Sequence, residues 1–184
     1  LFYVPGGNYG KLLRSDPETG EPPVPIGQTS GVRAATEETA DGFVYAVSSG
    51  QRAGDAALWR FNTRTEQSEQ IGTIAVGTEA YVASLDVDAG GRFLYYVPGA
   101  HGGGFRDGSP LVQFDLKSRT RKVIAFLHPF YEEKYGLIAK GTYSTAVSPE
   151  GDKVYITWNV SRGTRAWDCC GLSVVHIPES ERRP

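Results

Sequence analysis

The residues best suited to chemistry lie in one glycine-rich stretch, Pro98-Gly99-Ala100-His101-Gly102-Gly103-Gly104-Phe105-Arg106-Asp107-Gly108. Its glycines let backbone N–H groups approach a bound anion or carbonyl. His101 adds a titratable base, Arg106 a bidentate donor and Asp107 an acceptor. The same glycines can equally serve only to make a wide turn. A second stretch, 127–136, mixes His128, Phe130, Tyr131 and Tyr135 with Glu132, Glu133 and Lys134. Rings stack on the apolar face of a sugar or peptide while carboxylates accept its hydrogen bonds. The structural alternative is a short helical turn over a channel, with Phe130 and Tyr135 as packing residues. For a catalyst, His101 or His128 would be the general base, and Arg106, Arg162 or Arg165 would stabilise developing negative charge. For a binder, the contacts would be His101, Arg106 and Asp107 with Tyr131 and Glu132, joined by Arg162, Arg165, Trp167 and Asp168.

Other motifs carry less. His101-Gly-Gly-Gly matches the oxyanion-hole string of lipases and esterases, but no Gly-x-Ser-x-Gly nucleophile elbow occurs in the chain, so that reading is rejected. Cys169 and Cys170 are adjacent, so their Cα atoms lie ~3.8 Å apart, below the ordinary disulfide range of roughly 4.4–6.8 Å. A vicinal disulfide between them would be strained and reducible; two reduced thiols, or pairing with cysteines elsewhere, are the alternatives. No zinc-type spacing links these cysteines with His101, His128 and His176, and no metal is expected. Asp86-x-Asp88 resembles a calcium-loop opening but reads as turn chemistry, since Gly90 and Gly91 come too early. Asn159-Val160-Ser161 fits a glycosylation acceptor.

The elements that must position these residues are strands. Four seeds recur, at 1–4, 44–47, 94–97 and 154–157, each with Tyr or Phe at its centre: Leu-Phe-Tyr-Val, Val-Tyr-Ala-Val, Leu-Tyr-Tyr-Val and Val-Tyr-Ile-Thr. Three follow a tight polar turn, Thr39 to Gly42, Asp88 to Gly91 and Ser148 to Gly151, where Gly supplies positive φ. Alternating segments, 81–87 and 142–147, precede two of these turns and read as a first strand. After each seed comes a third strand with an apolar residue four positions before Asp or Asn: Leu12 and Asp16, Leu58 and Asn62, Leu111 and Asp115. The last copy, around 173–177, departs from it. A fourth strand closes the unit, most clearly at 121–126. With the strands of a unit lettered A to D, the chain runs B-C-D, A-B-C-D, A-B-C-D, A-B-C.

Units of this length built from strands and turns predict an all-β β-propeller of four-stranded antiparallel blades. Residues 1–184 read as a single partial propeller domain of about three and a half to four blades. The C-terminal part of a seven- or eight-bladed propeller is preferred over a complete small ring, whose incomplete blades would leave open strand edges. Ala146-Val147-Ser148-Pro149-Glu150-Gly151-Asp152-Lys153-Val154-Tyr155 resembles the strand–turn–strand repeat of TolB-type propellers, and the other copies resemble it more weakly because they lack the Pro. The resemblance, at the level of the tryptophan-aspartate-like propeller superfamily, implies a fold and no particular activity. Vicinal cysteine rings also occur in quinone-dependent alcohol dehydrogenase propellers, but the tryptophan-docking repeat of that group is missing here.

With 40% hydrophobic and 22% charged residues the chain is an ordinary globular domain. A net charge of −2 gives no field to gather nucleic acid, and no apolar run is long enough to span a membrane. Methionine is absent, even at position 1, so the natural start is expected to lie upstream.

The seeds begin 43, 50 and 60 residues apart, and the added length falls between strands B and C and between D and the next A. Both kinds of loop leave the same face of a propeller, which is therefore the expected functional surface. The preferred reading is a periplasmic or secreted propeller module that binds a partner protein or a small polar ligand through that face, assembled with the remaining part of the propeller. The alternative is a hydrolase or lyase acting on a carbohydrate or ester, and less favoured still a quinone-dependent oxidoreductase. No cofactor is identified.

Overall fold

A computed structural model describes residues 1–3, 11–48, 56–100, 103–163 and 169–182. Four antiparallel sheets follow one another along the chain. The first comprises β1 (Phe2–Tyr3), β2 (Lys11–Arg14) and β3 (Val24–Ser30), and the second β4 (Val32–Ala35), β5 (Phe43–Ser48), β6 (Ala57–Asn62) and β7 (Gln67–Thr73). The third is β8 (Leu85–Val87), β9 (Phe93–Tyr96), β10 (Pro110–Asp115) and β11 (Thr120–Phe126). The fourth is β12 (Leu137–Val147), β13 (Lys153–Arg162) and β14 (Cys169–His176). This is the strand order B-C-D, A-B-C-D, A-B-C-D, A-B-C, and the sheets are blades of a β-propeller.

The turns repeat because one polar side chain closes each. Between strands A and B, Thr39 Oγ1 accepts from Phe43 N (3.1 Å), Asp88 Oδ1 from Arg92 N (2.7 Å) and Phe93 N (2.6 Å), and Ser148 Oγ from Asp152 N (3.2 Å) and Lys153 N (3.1 Å). Gly42, Gly91 and Gly151 hold φ of 86°, 67° and 69° there, values that disfavour any side chain. Between strands C and D, Asp16, Asn62 and Asp115 accept from the backbone two residues on, at 3.0, 2.9 and 2.8 Å.

Alternation sends successive strand residues to opposite faces, so each sheet packs against both neighbours. Tyr45, Val47 and Leu58 of the second blade meet Leu94, Tyr96, Val112 and Phe114 of the third. Tyr95, Val97 and Leu111 meet Val154, Ile156 and Trp158 of the fourth. Leu12 and Ile26 of the first blade pack on Phe61 of the second. Polar staples add to this near the inner strands: Asp86 Oδ2 accepts from Val147 N (2.7 Å) and Ser84 Oγ from Thr145 N (2.9 Å). Asp86 is thus a blade-to-blade tie and Asp88 a turn cap, as the turn reading of this pair requires.

Four expectations need correction. The segment 127–136 takes the helical alternative, as helix α1 (Leu127–Tyr135) ended by Gly136 at φ 63°, but the last D-to-A connection, which reads from the sequence as 127–141, is shorter, because β12 begins at Leu137. The last B-to-C loop, which reads from the sequence as 159–171, is shorter and its hairpin longer, since the flanking strands run on to Arg162 and resume at Cys169. Of 81–87 only Leu85–Val87 is strand. The last repeat keeps its apolar residue one position earlier than expected: His176 pairs with Lys153 as Asp115 pairs with Phe93, which makes Leu172 the counterpart of Leu111.

Candidate functional site

In an antiparallel meander the A–B and C–D turns share one end of the sheet, and the B–C and D–A loops share the other. At the latter end a single 3-10 turn, Gly104–Asp107, meets α1. The contact is specific: Leu127 N and His128 N donate to Ser109 O (3.2 Å) and Gly108 O (3.0 Å), which satisfies the opening N–H groups of the helix. The Phe105 ring lies edge-on to His128 with centroids 5.6 Å apart. Ser109, fully buried, donates to Ala139 O (2.8 Å) and ties the loop to β12.

The structure therefore brings Arg106 and His128 to one end of the molecule, but gives them different roles. Arg106 is exposed, its guanidinium 5.9 Å from the Phe105 ring centroid. His128 is buried beneath Phe105; its Nε2 lies 3.4 Å from Glu132 Oε2, and its Nδ1 has no partner among the described residues. Asp107 is also committed: its Oδ2 accepts from Thr78 N (2.7 Å) and Thr78 Oγ1 (2.8 Å), stapling the B–C loop to the preceding D–A loop. The carboxylate fits only because residue 77 is Gly, at φ 69°, where a Cβ would stand 2.4 Å from Asp107 Cγ.

Tyr131 is structural as well. Its OH donates to Ser173 Oγ (2.6 Å), which also accepts from Trp158 Nε1 (2.7 Å), so α1 is pinned to the fourth blade. The adjoining apolar cavity of about 80 Å³ between Tyr131, Trp158 and Val160 is far below the roughly 300 Å³ a small-molecule pocket needs. Glu132 and Arg162 are exposed, Arg162 pairing with Leu137 just beyond α1. His101, Arg165, Trp167 and Asp168 lie outside the described residues.

The exposed part of α1 is an aromatic platform. Phe130 and Tyr135 are each about half exposed, with Phe126 beside them at the end of β11. Phe130 stands edge-on to Tyr131 and Tyr135, with centroids 5.4 and 6.2 Å apart, and Lys134 Nζ sits 5.3 Å from the centroids of both Phe130 and Tyr135. Sequence reasoning named this segment but preferred Tyr131 and Glu132 as contacts; the helical period instead presents Phe130, Lys134 and Tyr135 outward.

Cys169 and Cys170 are exposed free thiols. Both lie in β14, where successive side chains point to opposite faces of the sheet. In the strand the two thiols therefore diverge instead of closing a vicinal ring. Asn159 is buried with its Nδ2 bonded to Tyr143 OH, and Ser161 is fully buried, so this sequon is closed to glycosylation in the folded chain. Among the described residues no group of three or more His, Cys, Asp and Glu is placed to hold a metal. Sequence reasoning missed a groove of about 380 Å³ at the turn end, lined by Glu37, Glu38, Asp41, Asp86 and Asp88. Two of its carboxylates, Asp86 and Asp88, already accept from backbone N–H groups.

No protein-family profile matches the chain, and no curated protein matches it. Solved structures do, at the level of fold. The nidogen–laminin complex superposes over 92% of this chain and 55% of its own (12% identity, TM-score 0.56), and TolB from Acinetobacter baumannii over 93% and 36% (14%, 0.56). The gluconolactonase XC5397 from Xanthomonas campestris superposes over 96% and 47% (13%, 0.53). The chain thus spans between about a third and just over half of the length of these three structures. The class is β-propeller; at these identities the likeness extends to the fold alone. No helix among the described residues is long and apolar enough to cross a membrane.

Proposed function

We propose that this chain is a non-catalytic binding module of a larger propeller, periplasmic or secreted, whose contact surface is the end carrying α1 and the 3-10 turn. The observation that supports it best is the platform of Phe130, Lys134 and Tyr135, presented on a helix anchored through Tyr131 and Leu127 and flanked by Arg106. Exposed aromatics with an adjacent cation, held on a rigid support, suit a partner protein or a peptide-like polar ligand, since such residues dominate binding hot spots. Of the two histidines that the hydrolase or lyase reading takes as base, His128 is buried against Phe105 and His101 lies outside the described residues.

Screening the purified chain against immobilised peptides and oligosaccharides, beside the Phe130→Ala/Tyr135→Ala double variant, tests this. Ligands captured by the chain should weaken by about tenfold or more in the variant, roughly 1.4 kcal/mol. Capture that survives the double substitution overturns the assignment. Turnover of an ester or lactone that disappears in His128→Gln would replace it with the enzyme reading.

A further inference from the structure

The four repeats can be compared position by position, and the fourth breaks the pattern. The strand-C leucines Leu12, Leu58, Leu111 and Leu172 occupy equivalent places, as do the strand-B aromatics Phe2, Tyr45, Tyr95 and Tyr155, fixed by the pairings Phe2↔Arg14, Tyr45↔Arg60, Tyr95↔Gln113 and Tyr155↔Val174. In the first three repeats these side chains face the following blade. Leu12, Leu58 and Leu111 are 9%, 0% and 0% exposed, and Tyr45 and Tyr95 are 5% and 0%; Phe2, at the first strand, is 38% exposed but still packs edge-on to Phe61 of the next blade with centroids 5.2 Å apart, whereas Tyr155 has no such ring against it among the described residues. In the fourth, Leu172 is 67% and Tyr155 37% exposed, with Val174 and Tyr143 on the same face.

The adjacent edge is open too. The second and third blades cover strand C with charged D strands, β7 bearing Glu69 and β11 bearing Arg121 and Lys122. Such charges guard a sheet edge against unwanted pairing. β14 carries no Asp, Glu, Lys or Arg and has no D strand among the described residues. The chain beyond it turns away as α2 (Glu179–Arg182), whose Glu181 O accepts from Gln113 Nε2 (2.9 Å) and whose carboxylate pairs with Lys122, both of the third blade.

We infer that the outer face of the fourth sheet is a blade-to-blade junction, covered by a further propeller blade built from residues outside 1–184. The facing sheet should offer branched aliphatic and aromatic side chains, as Leu94, Val112 and Phe114 do toward the second blade and Val154, Ile156 and Trp158 toward the third. This deepens the larger-propeller part of the reading above and is independent of the platform on α1.

Hydroxyl-radical footprinting and cross-linking mass spectrometry test it, applied to the protein purified from its native source and to the isolated 184-residue chain. Tyr45 and Tyr95 serve as protected references and Tyr135 as the exposed one. Tyr155 and Leu172 should react at least about tenfold more slowly in the native material, with cross-links from Lys153 to a sequence bearing the same strand–turn repeat. Equal rates in the two preparations overturn the proposal, and so do cross-links to a second copy of residues 1–184 or to a partner without the repeat. Leu172→Lys should leave the melting temperature of the isolated chain unchanged. A lowered value would mean the face is already packed within the chain, which also overturns it.

Discussion

The two ends of the blades are built by opposite rules. At the turn end, Thr39, Asp88 and Ser148 perform one task with three side chains, and Asp16, Asn62 and Asp115 perform another with two. At the loop end nothing recurs among the described residues. One connection is a 3-10 turn stapled by Asp107, another is α1 pinned by Tyr131, and between the first two blades only Gly31 separates β3 from β4. Repetition marks what the fold requires of every blade. Variation on the same scaffold marks where selection has acted on something other than stability, since rigid elements can position diverse loops.

The largest effect should come from the core that supports the elaborated end. Trp158 packs between the third and fourth blades and donates to the same Ser173 Oγ that receives Tyr131. Trp158→Ala should cost about 3–5 kcal/mol in denaturant unfolding. It should also loosen α1, so cleavage after Lys134 by trypsin should accelerate. An unchanged cleavage rate would mean that the helix is held independently of the blade beneath it.

Next comes the turn end. Asp88→Ala leaves Arg92 N and Phe93 N without their acceptor and should cost about 1–3 kcal/mol. Ser148→Asp, which places the third blade's cap in the fourth, should fall within about 0.5 kcal/mol of the parent. If that exchange proves as damaging as the alanine substitution, the caps are not interchangeable and the comparison between the two ends fails.

Acid should also act on the turn end, more weakly. Burial alone would raise Asp115, but hydrogen bonds from Ser118 N and Arg92 outweigh it, and the carboxyl is lowered. Asp152 is lowered by its hydrogen bonds from Lys153 and Ser148. For each, the folded value lies below the 3.8 of an unfolded aspartate. The stabilisation is therefore complete above that pH and disappears as pH falls through the lowered folded value. Melting temperature should drop with acidification below 3.8, and Asp115→Asn should flatten that limb. The tyrosines set the opposite limit: burial raises Tyr45 and Tyr95 above 10.0, so stability should decline as pH climbs past 10.0 and the unfolded chain ionises first.

Strand seeds and turn caps were legible because alternation and Gly-containing turns are local signals, and they sufficed to place every blade in order. Helix α1 was harder. Leu127 follows strand residues directly, no side chain caps its first turn, and its N–H groups are satisfied by Gly108 and Ser109, which are remote in sequence. Pro129 near its start and Gly136 just past its end were the available signals. Segment 81–84 alternates like a strand, yet Ser84 and Asp86 spend their side chains on the backbone of β12, and only the last three residues of that segment enter the ladder. The burial of His128 against Phe105 and the hydrogen bonds that Asp107 accepts from Thr78 were not legible, because both are tertiary facts.

The smallest effect on stability should accompany the largest effect on binding. Phe130 is half exposed and its ring stands against Tyr131, Tyr135 and Lys134 of its own helix, so Phe130→Ala should change unfolding free energy by no more than about 0.5 kcal/mol. Truncating a central aromatic anchor of an interface commonly costs about 2 kcal/mol or more in affinity. Measured together on a ligand found by screening, the two numbers separate a surface kept for contact from one kept for packing. A loss of stability as large as the loss of affinity would return Phe130 to the core of the blade and leave the loop end without its platform.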